Sequence, residues 1–255
     1  MRAFMEKLAR QTGAVLLKKF TQTRDVKVKG VKDLVTDADF AAEKVLLKAL
    51  ETGKHAAPVL SEESGGLWKD EETFWTIDPL DGTINYAFGN PLFGLNIAYV
   101  KDGVATHGVS YLPFLDELFY AEKEKGVFLN NKKITCPKRP LSQSIIFCAW
   151  SKRTPEKDRQ GLQYVADISH AALSIRDPGS TSLGLAYVAA GRYGGYVYNS
   201  ATPWDITAGA LMIEEAGGKV TDFEGNAWFP HQKTICAGNK HNHGELLEAV
   251  TEKRH

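Results

Sequence analysis

Two carboxylates, Asp78 and Asp81, stand three residues apart in Ile77-Asp78-Pro79-Leu80-Asp81-Gly82-Thr83-Ile84-Asn85, with a proline between them. Carboxylate oxygens suit a hard cation such as Mg²⁺. The free backbone N–H groups of a helix beginning at Gly82-Thr83 suit a phosphate. A turn rich in Asp, Gly and Pro accounts for the same stretch with no chemistry at all. Further acids stand at Glu62 and Glu63 in Ser61-Glu62-Glu63-Ser64-Gly65-Gly66, at Asp205 after Thr202-Pro203-Trp204, and at Asp37 and Asp39 after Thr36. Each has a plainer reading of its own: a solvated pair, an acid favouring its own helix dipole, and the first turn of a helix capped by Thr36.

Several elements must position these residues. Phe74-Trp75-Thr76-Ile77 is aromatic and β-branched and predicts a buried strand. Pro79 cannot continue a strand interior, so the chain is expected to leave the strand at Asp78 and turn before Gly82. Residues 58–61 predict a short strand delivering Glu62 and Glu63. Upstream, Phe4, Leu8, Val15 and Leu16 give helical spacing over 3–20. Residues 27–32 read as a basic loop, and a helix runs from Asp37 through Val45, Leu46 and Leu50. Asp70-Glu71-Glu72 reads as an acidic surface loop. Strands at 93–100, 106–111, 117–121, 126–129 and 134–136 predict an antiparallel meander, with Asn130-Asn131-Lys132 as its last turn. Residues 137–142 then separate two halves, 1–140 and 141–255, of one compact unit. The second half alternates strands at 145–150, 172–175, 193–198, 219–221 and 234–237 with helices. The helices are expected at 155–167, where Gly161 is unfavourable, at 182–190, at 202–216, and from about 244 onward.

The 255 residues are 43% hydrophobic and 24% charged, with 31 basic and 31 acidic side chains. That composition suits a soluble globular protein. Zero formal net charge gives no reason to expect nucleic acid or an anionic membrane as main partner. No apolar run reaches membrane-spanning length, and charges are scattered through the N-terminus where a signal core would stand. Cys136, Cys148 and Cys236 lack the spacing of a disulfide framework or zinc site. The cytosol is the simplest compartment.

Taken in order, the acidic motifs resemble the inositol monophosphatase family of metal-dependent sugar phosphatases. That family carries a GEES-like element, then DPxDGTxN, then WDxAxGxxxxxEAGG. Here these are Ser61-Glu62-Glu63-Ser64, Asp78 to Asn85, and Trp204-Asp205-Ile206-Thr207-Ala208-Gly209 through Glu215-Ala216-Gly217-Gly218, with Asp33-Leu34-Val35-Thr36-Asp37-Ala38-Asp39 upstream. The resemblance covers nearly the whole chain. It implies an α/β layered αβαβα sandwich with the site between the halves.

It also implies a metal set of two or three Mg²⁺, with Mn²⁺ as a substitute and Li⁺ as an inhibitor. Glu62, Asp78 and the Leu80 carbonyl would hold one ion. Asp78, Asp81 and Asp205 would hold a second, and Glu62 would reach a weaker third through water. The charge balance is sensible: a phosphate monoester is dianionic, and carboxylates alone would repel it. By the same resemblance a metal-activated water attacks phosphorus in line, oriented by Thr83, which Asp39 hydrogen-bonds. Gly82 and Thr83 N–H groups meet the phosphate, and no Ser, Cys or His nucleophile is needed. Glu63 would support a metal water, and Asp37 would be a cap or surface acid.

Substrate contacts implied by the resemblance are Asp81 and Gly179-Ser180-Thr181, with Ser182 simply continuing the helix. Arg176 would meet a second phosphate or form a surface ion pair. The default substrate is inositol-1-phosphate. The rivals are fructose-1,6-bisphosphatase, histidinol-phosphatase and 3′-phosphoadenosine-5′-phosphate phosphatase activity, or a regulatory binding partner on the same fold. A homodimer is the family expectation, with no nucleic acid or membrane as partner. There is one departure. Inositol-selective members carry Glu seven residues before the Asp of the Trp-Asp pair, where Tyr198 stands here beside Asn199, with no acid between Arg192 and Asp205. Loss of that carboxylate predicts a broader substrate range, extending to fructose-1,6-bisphosphate.

Overall fold

A computed structural model describes residues 1–22, 25–31, 33–66, 72–230 and 232–251. Of the acidic loop predicted at 70–72, Asp70 and Glu71 lie outside the described residues, as does Lys32. The chain opens with α1 (Arg2–Phe20), β1 (Val26–Gly30), β2 (Asp33–Thr36) and α2 (Asp37–Leu50). Next come β3 (Val59–Ser61), β4 (Phe74–Asp81), α3 (Thr83–Ala87), β5 (Gly94–Lys101) and β6 (Val104–Leu112). β7 (Glu117–Glu122), β8 (Gly126–Leu129) and β9 (Lys132–Ile134) complete a seven-stranded sheet in the order β3-β4-β5-β6-β7-β8-β9. The remainder is β10 (Ile145–Cys148), α4 (Pro155–Ala171), β11 (Ser174–Arg176), α5 (Thr181–Ala189), β12 (Gly195–Tyr198), α6 (Pro203–Glu215), β13 (Gly218–Thr221), β14 (Ile235–Asn239) and α7 (His243–Thr251). Its strands form a five-stranded sheet in the order β11-β10-β12-β14-β13.

The layers follow from the period-2 alternation of strand side chains. On β5, Leu95 and Ile97 face one way and pack with Met5, Leu8 and Leu46 of α1 and α2. Ala98 faces the other way and joins Leu185 of α5 and Ile206 and Met212 of α6. On β10, Phe147 enters that same middle core, while Ile146 and Cys148 pack outward against Tyr164 and Ile168 of α4 and Leu246 of α7. The result is the αβαβα sandwich, with α5 and α6 between the sheets. No helix among the described residues is long and apolar enough to cross a membrane.

Four local expectations are corrected. The basic loop at 27–32 contains β1, which pairs antiparallel with β2. Every residue of β1 is exposed, so its Val-Lys alternation buries no face and gave no strand signal. Pro79 does not end β4, which continues to Asp81. The ladder to β5 pairs Asp78 with Asn96 and Asp81 with Gly94, with an irregularity between, and β3 pairs only as far as Ile77. Pro79 thus falls in a gap where no ladder donor is required. The last hairpin turns on Asn130-Asn131 alone, both at positive φ (44° and 68°), and β9 begins at Lys132. Finally, α4 runs to Ala171 through Gly161. A Cβ at Gly161 would stand 2.2 Å from Trp150 Cγ, so the glycine answers a close approach.

Candidate active site

A cleft of about 410 Å³ opens between residues of both sheets and their helix starts. Its acids arrive on different elements. Asp78 sits on buried β4 and is itself buried, its Oδ1 accepting the Leu80 N–H at 3.0 Å. Glu62 occupies the turn after β3, which Ser61 and Gly65 close by exchanging backbone hydrogen bonds of 2.9 and 3.1 Å. Asp205 lies in the first turn of α6. Its backbone carbonyl accepts the Asn96 side chain at 3.2 Å, and Asn96 in turn accepts the Ser110 hydroxyl at 2.6 Å, so β5 and β6 fix the start of the helix.

One oxygen each of Glu62, Asp78 and Asp205 falls within a mutual 4.8 Å. Burial first, and then the neighbouring acids, raises all three above the ordinary carboxylate range. Among the described residues the cation closest to them is Lys29 of β1, whose Nζ is 3.7 Å from Glu62 and 2.9 Å from Glu63. An oxygen-only ligand set that repels itself in this way fits a hard divalent cation.

The neighbouring groups have distinct partners. The Thr83 hydroxyl lies 3.1 Å from Asp39 Oδ1 and 3.0 Å from the Leu80 carbonyl. Asp39 Oδ2 accepts the Thr36 N–H at 2.8 Å and its hydroxyl at 2.6 Å, closing a capping box on α2. Burial pushes Asp39 up to about 6. Gly82 caps α3 at φ 85°, where a Cβ would meet the Gly179 and Leu92 carbonyls at 3.2 Å. Gly82 and Thr83 both line the cleft.

Asp81 lines the cleft too, but it is not one of the three grouped acids. Its Oδ2 accepts the Ser180 hydroxyl and both the N–H and hydroxyl of Ser182, and its Oδ1 accepts the Thr181 N–H at 3.0 Å. Ser182, expected only to continue the helix, therefore helps tie β4 to the start of α5.

The remaining sequence-predicted residues divide. Gly179, Ser180, Thr181 and Tyr198 line the cleft. Asn199 is buried behind it, its Oδ1 accepting the Ser151 N–H at 2.8 Å and its Nδ2 donating to the Lys157 carbonyl and Gln160. Arg176 does not line the cleft; its exposed guanidinium bonds Ser174 Oγ and the Ile175 carbonyl. Glu63 pairs with Lys29, and Asp37 with Lys19. Sequence reasoning missed Lys152 and Arg153, which line the cleft, and Asp33, whose carboxylate Arg153 meets at 2.6 Å. It also missed Glu43, buried on α2, whose Oε1 accepts the Ser61 hydroxyl and, at 2.9 Å, the Ser64 N–H. A signal for Glu43 was present: a charged residue one turn after Asp39, on the same face as Ala42 and Leu46.

A sequence profile described as the Inositol monophosphatase family matches residues 1–255. The chain belongs to the inositol monophosphatase family. It is 34% identical over 250 residues to a Thermotoga maritima protein named fructose-1,6-bisphosphatase/inositol-1-monophosphatase, covering 98% of this chain and 95% of that one. It is 38% identical over 224 residues to the Nus factor SuhB of Xylella fastidiosa, covering 87% and 81%. Among solved structures, the extragenic suppressor protein suhB of Bartonella henselae superposes with a TM-score of 0.92 at 34% identity, covering 99% of this chain and 98% of that one. As a member of the inositol monophosphatase family, the chain is a phosphatase acting on phosphoric monoesters.

Proposed function

We propose that this phosphatase hydrolyses small phosphate monoesters of polyols and sugars, inositol-1-phosphate among them, in a Mg²⁺-dependent reaction. The observation that carries this reading is the group of Glu62, Asp78 and Asp205, three self-repelling carboxylates gathered within 4.8 Å in a cleft large enough for a sugar phosphate. When bound, Mg²⁺ supplies positive charge that draws the dianionic ester and makes water a better nucleophile. Glu62, Asp78, Asp205 and the Leu80 carbonyl would hold it. Asp81 would add a ligand for a second ion; its Oδ1 accepts one hydrogen bond where Oδ2 accepts three. Thr83, kept in place by Asp39, orients the attacking water. Gly82 and Thr83 receive the phosphate oxygens at the start of α3, and Ser180 and Thr181 face the alcohol portion. Tyr198 stands where inositol-selective members carry an acid, which supports a range reaching beyond inositol phosphates. On family grounds the protein works as a cytoplasmic homodimer.

The name of the Xylella fastidiosa relative supports a second reading, a regulatory partner on the same fold. Retention of every acid of the family motifs favours turnover. Phosphate release from inositol-1-phosphate, glycerol-2-phosphate and fructose-1,6-bisphosphate, with and without Mg²⁺, tests both readings. Mg²⁺-dependent release is expected from all three esters. Its absence from all three would overturn the enzymatic reading. A preference above about a hundredfold for inositol-1-phosphate, roughly 2.7 kcal/mol of discrimination, would overturn the broad range.

A further inference from the structure

Ser180, Thr181 and Ser182 put three hydroxyls in a row where α5 begins, and their protons go to different places. Ser180 and Ser182 both donate to Asp81 Oδ2. The Thr181 hydroxyl, between them, has one partner among the described residues, the Tyr196 phenol oxygen at 3.1 Å. The Thr181 N–H is taken by Asp81 Oδ1, so the side chain is what this residue can offer to the cleft it lines. Resting on the reading above that Thr181 faces the alcohol portion of the ester, we propose that Tyr196 is a positioning residue. It donates to the Thr181 hydroxyl and so turns the threonine proton toward an oxygen of the bound alcohol.

Burial sets the direction of this bond. Tyr196 is fully buried, and its hydroxyl meets Thr181 alone among the described residues. With threonine as donor, the phenol proton would be left in the core without an acceptor, which is more unfavourable than one neutral hydrogen bond is favourable. With tyrosine as donor, the phenol is satisfied. A hydroxyl has one proton and two acceptor sites, so accepting from Tyr196 leaves Thr181 its own proton to donate. Burial raises the phenol well above its ordinary range, which keeps the Tyr196 proton in place.

The packing around Tyr196 holds its hydroxyl at the first turn of α5. The Phe147 ring lies against it, with centroids 4.8 Å apart. Gly184 of α5 leaves room for both rings: a Cβ there would stand 2.5 Å from Phe147 Cδ2 and 2.9 Å from Tyr196 Cδ2. Strand alternation places Tyr196 on the same face of β12 as Tyr198, which lines the cleft two residues later. Tyr196 therefore lies in the core directly behind the cleft wall, and Thr181 is its route to the substrate. The neighbouring serines cannot replace it in this task, because their protons are held by Asp81.

The test compares kcat/KM for glycerol-2-phosphate with kcat/KM for isopropyl phosphate, which has the same carbon skeleton without the free hydroxyls. The ratio is measured in the wild type, in Thr181→Val, Thr181→Ser and Tyr196→Phe, and in the double variant Thr181→Val with Tyr196→Phe. It should fall about tenfold in Thr181→Val and about threefold in Tyr196→Phe, and stay within about twofold of wild type in Thr181→Ser. The double variant should fall no further than Thr181→Val alone, because the tyrosine acts only through the threonine. A hydroxyl pair that merely stabilises the fold would lower the unfolding midpoint and leave the ratio where it is. A ratio that falls in Thr181→Val but not in Tyr196→Phe overturns the proposal alone, as does a double variant whose fall is the product of the two single ones. A ratio indifferent to every variant removes Thr181 from the alcohol portion, and the proposal goes with it. If the wild type hydrolyses neither ester, the phosphatase reading falls first.

Discussion

Two parts of the same cleft use carboxylates in opposite ways. Glu62, Asp78 and Asp205 converge from three elements and turn their oxygens toward one another, with the Leu80 N–H donating to Asp78. Asp81, three residues after Asp78 on the same strand, is wrapped by the donors of Ser180, Thr181 and Ser182. Gathering buried carboxylates with few donors is unfavourable to folding, whereas satisfying a buried carboxylate with several donors is favourable. The first group is therefore held in place by the fold, and Asp81 helps to hold the fold in place. What separates them is the supply of donors, since the residue types are alike.

The largest expected effect comes from neutralising a member of the first group. Asp78→Asn should lower Mg²⁺-dependent turnover by about a thousandfold or more, equivalent to about 4 kcal/mol. The metal-free variant should nevertheless melt at the same temperature as the wild type or higher, because burial and the neighbouring acids already disfavour charge on Asp78 there and the amide carries none. Mg²⁺ should raise the melting temperature of the wild type and lose that effect in the variant. A metal-free variant that melts well below the wild type would erase the contrast with Asp81.

Asp81→Asn should show the complementary pattern. An amide offers one acceptor oxygen and turns an N–H₂ toward donors, so the clamp on α5 loosens. The loss of charge-assisted bonds should lower unfolding stability by about 2–3 kcal/mol in a denaturant titration, alongside reduced turnover. An unchanged midpoint would show that the four hydrogen bonds carry little, and the two acids would belong together after all. Thr83→Ala should be smaller again. We expect kcat to fall about ten- to a hundredfold, with the Mg²⁺ concentration for half-activity within about twofold of wild type, since a water-orienting residue contributes to the reaction step and not to holding the ion. A large rise in the Mg²⁺ requirement would move Thr83 to the metal's side of the comparison.

The acids of the first group were legible in sequence only when their short motifs were taken in order as a family resemblance: Glu62 in Ser61-Glu62-Glu63-Ser64, Asp78 before Pro79, Asp205 after Trp204. Most helices and strands were legible from periodicity and caps. The order of the layers came with the family resemblance and not from spacing. The partners of Asp81 were not legible, because Ser180 and Ser182 lie about a hundred residues away and their hydroxyls carry no periodic signal. Lys152 was hidden for the same reason: nothing in its local sequence marks it as lining the cleft. Asn199 and Arg176 looked like substrate contacts from their positions near the motifs, yet neither lines the cleft: Asn199, just past β12, bonds Ser151, Lys157 and Gln160, and Arg176 bonds Ser174 and Ile175.

The subtlest prediction concerns Glu43, which lies next to the first group but is built like the second. It is buried at 7% exposure on α2, one turn beyond Asp39, and spans the β3 turn by accepting from Ser61 and Ser64. That turn carries Glu62. If donor supply is what divides the acids, Glu43 should behave as a weaker Asp81 even though its neighbours are the reactive carboxylates. Glu43→Gln keeps an oxygen at the same place and replaces charge-assisted bonds by neutral ones. The expected loss is about 1 kcal/mol of unfolding stability. The half-saturating Mg²⁺ concentration should rise only a few-fold, because Glu62 is positioned less firmly. At saturating Mg²⁺, kcat should return to within about threefold of wild type, since no step uses Glu43 directly. A kcat lowered by more than about tenfold at saturating Mg²⁺, with stability intact, would place Glu43 among the reactive acids and show that satisfied hydrogen bonds do not by themselves mark a structural carboxylate in this cleft.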